Sequence, residues 1–234
     1  MERIELIDVL RGISIIFMIA YNYSISLYFF GLLSIDNPLY FSVAPIPIAS
    51  SFIILSGIVS NISFERQKKN FAKRYFIRGL KLALLAFLIT LSTHIFMPNW
   101  TVWFGIIHFF AFTSFIIPFV IKYKKLCLIS GILITIFGFY LQSFSFDFYY
   151  LLWLGLKPTN FLTLDYFPLI PWFGIMMIGI YLGNYANSFS KLKFSSKFAN
   201  ILKFLGRHSL EIYLIHQPLI VVLLLSLGFR LNYF

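Results

Sequence analysis

About seven apolar segments fill most of this chain, near 6–31, 43–62, 75–96, 102–121, 125–143, 167–185 and 209–228. Each is about 18–25 residues long, which matches a helix crossing a hydrocarbon core about 30 Å thick. Backbone inside lipid must satisfy its own hydrogen bonds, so runs of this length fold as helices. The expected fold class is therefore all-α, a polytopic membrane helix bundle of about seven transmembrane helices. Composition agrees: 60% of the residues are hydrophobic and 12% charged, against about 45–50% and about 25% in soluble domains. No repeat, low-complexity tract or soluble module interrupts the pattern, so residues 1–234 read as a single transmembrane domain.

The connections carry the next constraint. Of the 19 basic residues, 17 fall at alternate connections, from Arg3 and Arg11 through 66–81 and 122–125 to 191–207. Only Lys157 and Arg230 fall on the other side. Lys and Arg collect in cytoplasmic loops, so the N-terminus is expected in the cytoplasm and the C-terminus outside. The same rule explains the net charge of +11 without nucleic acid, for which no basic soluble module exists. Glu2, Glu5 and Asp8 spoil a positive leader region, so the first segment reads as a span and not as a cleaved signal peptide. Residues 142–166 form the longest outer connection, and its aromatic middle, FDFYYLLWLGL, is expected in the interface or over the bundle's mouth. Residues 187–208 read as a Lys/Ser-rich cytoplasmic linker.

The first span is unlike the others because it carries Asp8, Arg11 and Asn22. At about 100° per residue Arg11 and Asn22 lie about 20° apart around the helix, and Asp8 lies within about 60° of both. Ile15, Met18 and Ser26 share the stripe, which runs about 21 Å from Asp8 to Asn22. Polar groups at this depth face protein or a water-filled cavity. Asp8 and Arg11 form either a local ion pair or an anion grip, since the forked guanidinium suits a phosphate. Lys81 and Arg207 add positive charge on the cytoplasmic side, where the topology rule alone also accounts for them.

Four histidines are present. His208 reads as a solvated helix end beside Glu211. His94 sits near the outer end of the third span. His216 stands beside Pro218, which frees the Leu214 carbonyl that His216 or Gln217 would serve. His108, in WFGIIHFFAF, lies about two turns inside the fourth span, where an imidazole needs a purpose or a partner. Asp165 precedes YFPLIPW and is either the N-cap of the sixth span or a group that orients a histidine or a substrate. Gly179 and Gly183 form a GxxxG pair that permits close helix approach. Cys127 is the only cysteine and reads as packing; no metal-ligand spacing, phosphate loop, HExxH or GxSxG motif occurs.

Four stretches, IDVLRGISIIFMIAYN (7–22), WFGIIHFFA (103–111), DYFPLIPWFG (165–174) and LGRHSLEIYLIHQP (205–218), together resemble small prokaryotic members of the heparan-α-glucosaminide N-acetyltransferase catalytic-domain family. The resemblance runs from Ile7 to about Leu227. It implies a multi-pass protein of a prokaryotic cell membrane. It further implies that acetyl-CoA or another acyl-CoA binds from the cytoplasm, that its pantetheine arm threads the bundle, and that the acyl group passes to an amine or hydroxyl of an extracytoplasmic sugar or glycan. Arg11 matches the arginine of the family's D-x-x-R-G opening, and Asn22 matches a position that is asparagine in the lysosomal enzyme. That enzyme's catalytic histidine falls at Leu33 here, which has no acid–base chemistry. The lysosomal enzyme also has further spans and a luminal domain that this sequence does not include.

The physics points the same way. An arm of about 15–20 Å, against about 1.5 Å per helical residue, brings a thioester from a basic vestibule to the level of Asn22. The expected roles are His108 as base, with His94 and His216 as alternatives, Asn22 for the oxyanion, and Asp165 for acceptor positioning. Arg11, Asp8, Lys81 and Arg207 serve CoA. No metal is expected, and the partners are membrane lipids, acyl-CoA and the sugar acceptor, with homo-oligomers left open. The rival readings are a transporter or channel lined by the same stripe, and a non-catalytic member of the fold. A seven-helix receptor is disfavoured by the inward N-terminus and by the absence of a lysine in the last span.

Overall fold

The computed structural model describes residues 4–229; Arg3 and Arg230 of the charge pattern lie outside the described residues. Its helices, in chain order, are α1 (Glu5–Phe29), α2 (Leu39–Val43), α3 (Pro45–Arg66), α4 (Phe71–Phe96), α5 (Ile106–Val120), α6 (Lys124–Leu141), α7 (Leu169–Leu182), α8 (Lys197–Arg207) and α9 (Ser209–Ser226). Short 3₁₀ turns occur at Lys68–Asn70, Pro98–Trp100 and Gly183–Phe189. No named strand occurs among the described residues; only two isolated bridges do, Phe104 to Tyr166 and Phe146 to Pro158.

Six helical stretches among the described residues are long and apolar enough to cross a membrane: Glu5–Phe29, Leu39–Arg66, Lys68–Phe96, Lys124–Leu141, Leu169–Ala186 and Ser209–Ser226. The chain is thus an integral membrane protein with an all-helical bundle architecture. The segment expected as a span at 102–121 differs. Its helix, α5, has 15 residues, or about 22 Å of rise against a core of about 30 Å. The cause lies at its start. Gly105 is extended (φ −89°, ψ −172°), and the chain before it runs beside 163–167, with the Phe167 amide donating to the Phe104 carbonyl at 2.9 Å.

The chain divides into two compact units, one of residues 1–55 and 185–234, the other of residues 56–184. In the first, α8 and α9 pack on α1. Close approach is possible because two glycines face backbone: a Cβ on Gly12 would strike the Leu202 carbonyl, and one on Gly206 would strike the Asp8 carbonyl. Ser196 caps α8 by accepting the Ala199 amide at 3.1 Å. The region read as a linker therefore contains an ordered amphipathic helix that buries Ala199, Leu202 and Gly206. Just past the end of α1, Phe30 packs with Ile220 and Leu224 of α9.

In the second unit α7 is the central helix, with Met176 and Ile180 fully buried. Gly131 of α6 and Gly174 of α7 face each other, each leaving under 3 Å between a notional Cβ and the other's carbonyl oxygen. Of the GxxxG pair, Gly183 lies against Asn61 of α3. Asn61 is fully buried and donates its side-chain amide to the Ile180 carbonyl at 2.9 Å.

Candidate functional site

One group of polar side chains gathers where α4 ends and α5 begins. Thr90, Thr93 and His94 project from the last turns of α4. Thr93 accepts the Val102 amide at 3.0 Å, and Thr90 donates to the Val102 carbonyl at 2.7 Å. Two threonines thus hold both backbone groups of one residue and pin the extended segment before α5. Thr163 ties the neighbouring strand-like stretch to it, donating to the Thr101 carbonyl at 2.8 Å.

His108 completes this arrangement. Its Nε2 lies 2.9 Å from Thr90 Oγ1. Because the Thr90 hydrogen goes to Val102, Thr90 accepts here, so His108 carries its proton on Nε2. Nδ1 accepts the Gly105 amide at 3.2 Å. Both ring nitrogens are therefore committed. Asp165 works beside it: its Oδ2 accepts the Ile106 amide at 2.9 Å. The first amides at the start of α5 are served by His108 and Asp165 together. Asp165 thus caps α5, from across the loop, rather than the sixth span that follows it in sequence; the α7 N-cap position is Pro168.

His94 is exposed. Thr101 gives its hydrogen to the Pro98 carbonyl, so His94 donates from Nδ1 to Thr101 Oγ1 at 3.2 Å and keeps its Nε2 lone pair on the exposed side. A cleft of about 450 Å³ opens nearby between Trp103, Phe104, Tyr149, Leu152 and Trp153. The Phe104 ring lies 5.7 Å from that of His108, and the Trp103 ring lies 5.9 Å from that of His94. The aromatic loop over this cleft is anchored by Tyr166, whose hydroxyl donates to the Leu152 carbonyl at 2.8 Å. Burial raises the Tyr166 phenol above its ordinary value, so it remains a donor at neutral pH.

The second group lies along α1. Asp8 is buried and accepts from Arg207 Nε at 3.2 Å; its side chain is 5% exposed, that of Arg207 45%. One turn earlier Glu5 accepts from Lys203 Nζ at 3.0 Å and from the Phe194 amide at 3.0 Å. Two acid–base pairs therefore join α8 to the start of α1. Arg11 is half-buried on the same helix. Lys81 is exposed on α4 in the other unit. Asn22 donates one amide hydrogen to the Met18 carbonyl at 2.9 Å, and its own carbonyl accepts from Ser26 at 3.0 Å. Gln217 of α9 donates to Ser26 Oγ at 2.9 Å.

His216, also on α9, is buried beside Tyr23 with the rings stacked, 6.4 Å apart at 17°. Its Nδ1 lies 2.7 Å from the Tyr213 carbonyl. It serves that group rather than the Leu214 carbonyl freed by Pro218. The structure thus pairs Asp8 with Arg207, links the Asn22 backbone carbonyl through Ser26 to Gln217, and sets His108 and Asp165 together at the start of α5. Thr90, Thr93, Thr101 and Thr163 were not singled out from the sequence, although TLSTH puts Thr90, Thr93 and His94 on one helical face.

A family model described as "Heparan-alpha-glucosaminide N-acetyltransferase, catalytic" matches residues 3–218 of the 234. No curated protein and no solved structure matches the chain.

Proposed function

We propose a function for a chain that belongs to the heparan-alpha-glucosaminide N-acetyltransferase catalytic family, a family of membrane acetyltransferases. The protein moves an acetyl or other acyl group from cytoplasmic acyl-CoA to an amine or hydroxyl of an extracytoplasmic sugar, in a prokaryotic cell membrane. The observation that carries this reading is the polar stripe of α1. Asp8 and Ser26 are buried on a largely apolar helix that also carries Arg11 and Asn22 on the same stripe, and polar groups at membrane depth mark a path for a polar ligand.

Arg11 and Arg207, in one compact unit, are the cations for the CoA phosphates, with Asp8 holding Arg207 in place. Asn22 keeps a second amide hydrogen beyond the one given to Met18, which suits it to an oxyanion. Asp165 and His108 act through the backbone they cap. The commitment of both His108 nitrogens supports a positioning role for this residue, with proton transfer left to another histidine.

The test uses the full chain purified in detergent, acetyl-CoA as donor and glucosamine as acceptor, because glucosamine offers both an amine and hydroxyls. CoA release is followed together with melting temperature. Acetyl-CoA at 100 times its Kd stabilises a binding-competent native state by about 2.7 kcal/mol. Absence of both CoA release and a melting shift would remove the acyltransferase reading and leave the stripe to a solute pathway.

A further inference from the structure

The hydrogen-bond accounting at the α1–α9 seam leaves two acceptors unspent. His216 is 7% exposed. A carbonyl only accepts, so the His216 proton resides on Nδ1, where it is given to Tyr213. Nε2 then holds a bare lone pair, and it is buried without a partner. The next residue repeats the pattern. The Gln217 amide nitrogen donates to Ser26, while Gln217 Oε1 is buried without a partner.

A buried acceptor left without a donor costs about 1–3 kcal/mol. The free lone pair of His94 belongs to an exposed side chain, and His108 has none to spare. His216 therefore differs from both: it holds an unspent basic nitrogen inside the membrane, on the seam occupied by Tyr23, Ser26 and Asn22. Ser26 connects the two helices, accepting from Gln217 and donating to the Asn22 carbonyl. The rings of Tyr23 and Tyr213 lie 6.4 and 5.6 Å from the imidazole.

We propose that His216 is the proton acceptor of the acyl transfer and that Gln217 Oε1 accepts a second hydrogen from the reacting end of the acceptor. The inference rests on the acyltransferase reading and adds to it a requirement on the acceptor. The reactive end of the sugar must present two hydrogens, as a primary amine does, or a hydroxyl beside a second hydroxyl. The acceptor's lone pair attacks the acyl carbonyl carbon, forming the new C–N or C–O bond, and its proton passes to His216 Nε2. Collapse of the tetrahedral adduct breaks the C–S bond, and sulfur leaves with the electron pair. The thiolate then takes the proton back from Nε2, giving free CoA and a neutral imidazole ready for the next turn.

His216→Gln and His216→Asn test this in the full-length protein, with acetyl-CoA and glucosamine as probes. Both variants remove the base while keeping a polar side chain of comparable size. A positioned general base contributes about 10²–10⁴-fold, so the expected result is a fall in kcat of about a hundredfold or more in both variants. The acetyl-CoA melting shift and KM should stay near wild type. Gln217→Leu should raise KM for glucosamine and lower kcat less than the histidine variants do. A smaller fall in kcat overturns the assignment. So does loss of turnover accompanied by loss of the acetyl-CoA melting shift, which would give His216 a structural role. A wild-type protein that neither releases CoA nor shows the melting shift overturns the acyltransferase reading itself, and this inference with it.

Discussion

Replacing Asp165 separates two contributions that its carboxylate makes at the start of α5. Oδ2 accepts the Ile106 amide at 2.9 Å, and Ile106 is buried. Asp165→Ala leaves that amide without its acceptor, at a cost of about 1–3 kcal/mol. It also removes a negative charge from a helix N-terminus, worth about 0.3–1 kcal/mol. The total is about 1–4 kcal/mol. Asp165→Asn keeps an acceptor oxygen and loses only the charge, so its cost is about 0.3–1 kcal/mol. For a chain of this size each kcal/mol corresponds to about 2–4 °C in melting temperature. The alanine variant should therefore melt about 3–16 °C lower, and the asparagine variant about 1–4 °C lower. Cys127 provides the assay: it is the only cysteine and is buried, so a thiol-reactive dye reports unfolding in detergent. Gly105→Ala should resemble Asp165→Ala, since a Cβ there would strike Asp165 Oδ2. Equal losses in the alanine and asparagine variants, or no loss in the alanine variant, would refute the capping account.

Thr90→Val removes the partner of both the Val102 carbonyl and His108 Nε2, and should destabilise by about 2–3 kcal/mol; an unchanged melting curve would mean that these bonds are not formed. Gly206→Ala forces α8 away from α1 at the Asp8 carbonyl, with an overpacking cost of about 1–3 kcal/mol and a weaker Asp8–Arg207 pair, to be read in the same melting assay. The basic-residue asymmetry predicts an active alkaline phosphatase fused to the C-terminus and an inactive one fused after residue 69, within the basic connection before α4; the opposite pattern would invert the proposed orientation.

Helix positions were legible because lipid imposes a length on every apolar run, and that length is visible locally. The departures occur where the deciding partner is far along the chain. Nothing inside WFGII indicates that 102–105 is extended, because the stretch that holds it lies at 163–167. The local grammar of helix starts assigns Asp165 to the span that follows it, yet the amide it accepts belongs to Ile106, 59 positions earlier in the chain. Two features are legible in the sequence itself. Ser196 followed by apolar or small residues at Ala199, Leu202 and Gly206 carries the cap and spacing of an amphipathic helix. Thr90, Thr93 and His94 fall at i, i+3 and i+4.

The histidines show most clearly what sequence and coordinates each contribute. Depth and neighbours in the chain favour His108, since it lies in the most apolar surroundings of the outer group. What decides a base, though, is a nitrogen lone pair that no protein donor has claimed. That depends on where each neighbouring hydroxyl and carbonyl directs its own bond. Thr90 has already given its hydrogen to Val102, so His108 must donate, and Gly105 then takes its remaining nitrogen. At His216 the neighbour is a carbonyl, which takes the ring's proton and returns nothing. The first span contains no histidine, but α9 brings one to it. The polar stripe from Asp8 to Ser26 thus has a base on the adjoining helix, in the same compact unit as Asn22. The donor path and the proton acceptor proposed here are supplied by α1 and α9 together.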